Sequence, residues 1–114
     1  MKDFHTILYK IIGARIKNVR KKLNLSQEQL SEKVEISRAS ISNIEIGRHQ
    51  PPLHILYSIA SALQLDIQFL LPTVYEIREK ITSSSLSEIL GKEDLDEESK
   101  INIENIINNL SDDF

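Results

Sequence analysis

The sequence predicts an all-α fold. Three observations point there. Ser26 and Ser37 each stand where a helix cap would stand, with apolar residues placed around them as hydrophobic staples. Apolar residues between positions 7 and 23 recur at helical spacing. Two short helical segments then follow one another across a joint of two residues, too short for antiparallel packing.

Taken in order, Ile7, Leu8, Ile11, Ile12, Ile16, Val19 and Leu23 place a first helix over residues 6–23. Gly13 lies inside it and weakens it. Asn24 tolerates the left-handed conformation of a helix stop. Ser26 opens the second helix: its hydroxyl can take an amide proton while Gln29 reaches back in a capping box, with Leu25 and Leu30 as the staple. That helix ends near Val34. Ser37 opens the third, stapled by Ile36 and Ile41, and Gly47 ends it. Arg48, His49 and Gln50 form a polar loop, and Pro51-Pro52 sets the start of a fourth helix. Its core stripe is Leu53, Leu56, Ile59, Ala60 and Leu63. Asp66 caps a short fifth helix, with Leu65 and Leu70 as a third staple, and Pro72 closes the module.

Beyond Pro72, Thr73 to Ile81 reads as a helix, Ser83-Ser84-Ser85 as a break, and Leu86 to Leu90 as one turn ending at Gly91. Lys92 to Glu98 is acidic. Asp96 can cap a last helix carrying the apolar stripe Ile103, Ile106, Ile107 and Leu110. An isolated helix of that length is marginal in water, so its stripe needs a surface to bury against: its own domain, another protein or, the reading favoured here, a second copy of the chain in a homodimer. The chain thus divides into residues 6–72 and a helical extension over residues 73–114.

Short helices joined by two residues cross steeply, as in a helix-turn-helix, and the start of the second projects outward. Ile41 and Ile44 point inward, while Arg38, Ala39, Ser42 and Asn43 fall on the other side. That face suits a DNA major groove. Arginine can bond both acceptors of guanine, asparagine can pair with adenine, and small residues leave room for a thymine methyl. A solvated helix face without a partner has the same composition.

The wider segment resembles the repressor/Cro-type (XRE) helix-turn-helix family of bacterial and phage regulators. The matching residues are Ile12 to Arg20, Leu25 to Leu30, Ser37 to Ser42, Ile44 to Gly47, Pro52-Leu53, Leu56, Ile59-Ala60 and Leu63. The resemblance implies a compact five-helix DNA-binding domain. It also implies that Gln27 bonds a DNA phosphate and buttresses the third helix, and that Arg20 and Glu45 form a partly buried structural ion pair. Ser40, Asn43, Arg48 and His49 are then candidate contacts to the DNA backbone, which fix register without reading sequence. Two positions depart from the family pattern. Glu35 stands in the turn where glycine is usual, and a left-handed backbone there costs a non-glycine residue about 1 kcal/mol. Ser31 replaces a usual alanine where two helices approach.

The net charge of −3 alone argues against DNA binding, but the charge is unevenly placed. Residues 1–72 hold ten Lys/Arg against six Asp/Glu; residues 73–114 hold four against eleven. A basic head and an acidic tail fit a DNA-binding domain whose appendage faces away from DNA. There is no cysteine, which excludes disulfides and thiolate metal sites. His5, His49 and His54 lack metal-ligand spacing, Ser83-Ser84-Ser85 lacks a nucleophile's context, and no glycine-rich phosphate loop occurs. The chain therefore reads as a non-enzyme with no cofactor and no metal. No apolar run approaches a membrane span and no signal peptide opens the sequence, so the expected location is the cytoplasm.

Two functions from different classes fit. One is a homodimeric transcription regulator, a repressor, reading an inverted repeat in double-stranded DNA. The other is an antitoxin-type protein whose acidic tail neutralises a protein partner while its head autoregulates.

Overall fold

A computed structural model describes the backbone of residues 2–92 and the side chains of residues 3–83. It contains α1 (Lys2–Lys22), α2 (Gln27–Val34), α3 (Arg38–Glu45), α4 (Leu53–Ala62), a 3-10 turn over Ile67–Phe69, and α5 (Val74–Lys92). No strand occurs among the described residues. The chain separates into two compact units, Met1–Pro72 and Thr73–Phe114.

In the first unit, one local device closes three helices and opens the segment after each. Asn24, Glu35 and Gln64 have left-handed backbones, with φ of 58°, 63° and 59°. Each is followed by an apolar residue and then by the residue at the N-cap position of the next segment: Asn24-Leu25-Ser26, Glu35-Ile36-Ser37 and Gln64-Leu65-Asp66. The apolar residue's amide closes the helix behind it, on Arg20 O at 3.1 Å, Ser31 O at 3.1 Å and Ala60 O at 2.9 Å. Those bonds satisfy carbonyls the helix end would otherwise leave bare. Leu25, Ile36 and Leu65 also pack against the core, so one residue serves both a C-terminal closure and the next helix's staple. The capping box at Ser26 is complete: its Oγ accepts from Gln29 N at 3.0 Å, and its own N–H donates to Gln29 Oε1 at 2.8 Å.

The core is built from Ile12 and Ile16 of α1, Leu30 and Val34 of α2, Ile41 and Ile44 of α3, Leu56, Ile59 and Ala60 of α4, and Leu63 and Leu70 beyond it. Each buried Leu or Ile contributes about 1.5–3 kcal/mol relative to exposure. Ser31, also buried, gives its hydroxyl proton to Glu28 O at 2.7 Å, so the small polar residue is satisfied within its own helix.

Several local expectations are corrected. α1 begins at Lys2 rather than residue 6, because Phe4 continues the stripe of Ile7, Leu8 and Ile11 and Asp3 suits a helix's first turn. Leu23 and Leu53 are exposed rather than core; they lie just past the end of α1 and at the first position of α4, outside the packed turns. The fifth helix of the module is only a 3-10 turn, and Asp66 makes no side-chain cap bond. The amide it would take, that of Phe69, already bonds Asp66's own carbonyl at 3.0 Å.

In the second unit, α5 runs through Ser83-Ser84-Ser85 and Gly91 instead of breaking there. Serine costs a helix only a few tenths of a kcal/mol per residue, about 0.5 at most. The start of α5 is a second capping box: Thr73 Oγ1 accepts from Glu76 N at 3.1 Å, and Thr73 N donates to Glu76 Oε1 at 3.3 Å. The last helix read from Asp96 to Leu110 lies outside the described residues.

Candidate nucleic-acid interface

α3 is the element on which the site is built, and both its ends are fixed. At the N-terminus Ser37 Oγ accepts from Ser40 N at 3.0 Å and lies 2.8 Å from Ser40 Oγ. At the C-terminus Gly47, with φ of 82°, turns the chain, and its amide bonds Ile44 O at 3.1 Å. The amides of Arg48 and His49 both bond Asn43 O, at 3.0 and 3.2 Å, so the following loop is tied to α3 rather than free of it.

Below the helix lies a polar clamp. Arg20 Nε and Nη2 donate to the two carboxylate oxygens of Glu45 at 2.6 and 3.0 Å. Arg20 Nη1 donates to Leu25 O at 2.7 Å, and Gln27 Nε2 donates to Glu45 Oε1 at 3.0 Å. This joins the end of α1, the start of α2 and the end of α3 in one network. The hydrogen bonds to Glu45 hold the Arg20 guanidinium above its ordinary pKa, against the opposing effect of burial. The family resemblance implies a partly buried pair. The side chains are only 9% and 1% exposed, so the pair is buried.

The outer face of α3 carries the residues the sequence singled out. Arg38 and Ala39 are exposed; Ser40, Ser42 and Asn43 are half-buried; Arg48 and His49 are exposed in the loop. Ser40 is shared with the helix cap, and Gln27 is joined to α3 only through Glu45. Between Ser37 and Gln50 the only carboxylate is Glu45, and it is neutralised inside the clamp. The charges this face offers to solvent are therefore the arginines Arg38 and Arg48.

One close approach at the site lies outside the residues the sequence singled out. Gly13 is buried in α1, and its Cα lies against the last carbonyls of α3. The sequence did hold a signal: the glycine stands beside Ile12 and three residues before Ile16, on the inward face of an amphipathic helix. Among the described residues there is no cluster of His, Cys, Asp or Glu that could hold a metal ion. No single described helix is long and apolar enough to cross a membrane.

A fixed, outward-facing α3 crossing a short α2 is a helix-turn-helix, the architecture of DNA-binding domains. The family model described as Helix-turn-helix (HTH_3) matches residues 16–70. The immunity repressor protein of Bacillus phage phi105 is 41% identical over 56 residues, covering 49% of this chain but only 39% of its own length. The uncharacterized HTH-type transcriptional regulator YobD of Bacillus subtilis (strain 168) is 30% identical over 81 residues, covering 71% of this chain and 72% of that protein. The crystal structure of the restriction-modification controller protein C.AhdI from Aeromonas hydrophila aligns with a TM-score of 0.54 at 25% identity, covering 55% of this chain and 96% of that one. The chain belongs to the HTH_3 (XRE-type) helix-turn-helix family. It is a DNA-binding helix-turn-helix transcriptional regulator, of a family that binds double-stranded DNA.

Proposed function

We propose that this chain is a repressor that binds an inverted-repeat operator as a homodimer, with α3 in the major groove of each half-site. The observation that carries the reading is the outer face of α3: fixed at both ends, led by the exposed Arg38, and without an exposed carboxylate because Glu45 is buried against Arg20. Arg38 leads that face at the first helical position, where residues of a recognition helix meet base edges. In this reading Arg38 bonds a guanine, Asn43 and Ser42 complete the polar readout, and Ala39 leaves space for a thymine methyl. Gln27, Ser40, Arg48 and His49 hold the phosphate backbone on either side. The similarity to a phage immunity repressor favours repression over activation. A regulator of this kind works where the DNA is, which in a bacterial cell is the cytoplasm.

Dimerisation follows from information content. One short helix reads only a few base pairs, too few to single out a site among a genome's competing sequences. Two copies about a twofold axis place their recognition helices about 34 Å apart, one turn of DNA. Binding-site selection with the full chain tests this. It should return a dyad whose half-sites are centred about 10 base pairs apart or a multiple of that. A single half-site bound as tightly as the repeat would overturn the dimer reading.

A further inference from the structure

Glu45, the last residue of α3, is held from two directions. Its carboxylate is gripped by Arg20 and Gln27, and its backbone rests on Gly13 of α1. A Cβ placed on Gly13 would stand 2.3 Å from Ile44 O, 2.6 Å from Glu45 O and 2.8 Å from Glu45 C. All three are backbone atoms, so no change of rotamer relieves the overlap. Ordinary contact begins near 3.4 Å, so even a methyl group would drive α1 and the last turn of α3 apart by about 1 Å. α1 cannot turn this position away, because Ile12 and Ile16 beside it are fully packed in the core. A second close approach flanks the first: a Cβ on Gly47 would stand 2.8 Å from Lys10 Cγ and 3.0 Å from Lys10 Cα. Glycine weakens a helix interior, so Gly13 is a local liability whose return is this contact distance.

We propose that Gly13 is a positioning residue for DNA reading: by letting α1 touch the carbonyls of Ile44 and Glu45, it sets the height and tilt of α3. The proposal rests on α3 being the reading element. An eight-residue helix is about 12 Å long, so a shift of about 1 Å at one end tilts it by roughly 5° about its Ser37 cap. Gln27 is tied to Glu45, so the same shift moves a phosphate contact relative to the base contacts. Hydrogen bonds to base edges weaken steeply over displacements of that size. Attraction to the phosphate charge changes little over the same distance, since it acts across a Debye length of about 8–10 Å.

The test uses full-length Gly13→Ala and Arg38→Ala beside the parent protein. Each is titrated, at one fixed salt concentration, on the operator selected by the parent and on an unrelated duplex. Gly13→Ala should melt cooperatively, lose about tenfold or more on the operator and change by less than about threefold on the unrelated duplex. Equal losses on both duplexes, or an unchanged operator affinity, would overturn the positioning role. If Arg38→Ala keeps full discrimination, α3 is not the reader and both readings fall together; if only Gly13→Ala keeps it, the positioning role alone falls. Should Gly13→Ala not fold, Gly47→Ala decides. It presses on the same crossing by up to about 0.6 Å, adds the strain of a side chain at φ of 82°, and must still show the preferential loss on the operator. Parallel losses on the two duplexes there would refute the proposal.

Discussion

Replacing Glu45 with alanine is the sharpest stability test of the clamp. The carboxylate accepts hydrogen bonds from Arg20 at 2.6 and 3.0 Å and from Gln27 at 3.0 Å. Its removal leaves the Arg20 side chain, 9% exposed, with only the Leu25 carbonyl as partner. Stranding one member of a buried pair costs about 3–5 kcal/mol. A 72-residue unit at roughly 0.05–0.15 kcal/mol per residue holds only about 4–11 kcal/mol in total. The loss is therefore a large share of the whole. At about 4–8 °C per kcal/mol for a domain of this size, Glu45→Ala should lower Tm by at least about 12 °C. Thermal melting followed by far-UV circular dichroism, at one fixed protein concentration, reads this directly. The double variant Arg20→Met/Glu45→Met should recover much of the loss, because apolar side chains of similar volume remove the stranded charge. A Glu45→Ala melting point within about 3 °C of the parent would refute the argument that the pair is buried and coupled.

Gln27→Ala should weaken binding to specific and unrelated DNA alike without shifting the selected consensus; a shifted consensus would contradict its phosphate role. It should also cost roughly 1.5–3 kcal/mol of stability, because the bond it loses ends on a charged carboxylate, and a Tm as high as the parent's would argue against that bond. Glu35→Gly removes a side chain from a backbone at φ of 63° and should raise stability by up to about 1 kcal/mol, read as a higher Tm; a lower Tm would show that the turn is unstrained. Ile103→Asp with Ile107→Asp tests the stripe read near the C-terminus. Dimerisation by light scattering and operator affinity should fall together while the head still melts cooperatively, and an unchanged dimer would remove the stripe from the interface.

The joints of the fold were legible in the sequence because they are local. Ser26, Gln29 and Ser37 cap through atoms three residues away, and Leu25, Ile36 and Leu65 staple across five. The left-handed backbone at Glu35 was legible only through the family resemblance, which has glycine at that turn position. What was not legible depended on contacts between distant segments. Gly13 reads as a weak point in a helix until the carbonyls of Ile44 and Glu45 are found against it. Leu53 matches the stripe of α4 in period, and only the position of the core shows that the stripe starts one turn later. Ser83-Ser84-Ser85 resembles a break by composition, yet three serines cost less than the helix gains by continuing. On the site itself, chemistry suggested which face of α3 is outward. It did not show that Ser40 is shared with the cap, or that Asn43 O holds the amides of Arg48 and His49.

The central claim is that the outer face of α3 reads bases, with Arg38 contributing most. Titrating Arg38→Ala against the selected operator and an unrelated duplex at matched salt tests it most directly. Arg38→Ala should lose about 1–3 kcal/mol on the operator, with preference relaxed at one base pair of each half-site and little change on the unrelated duplex. Equal losses on both duplexes, with the consensus unchanged, would reduce Arg38 to a phosphate contact and contradict the account.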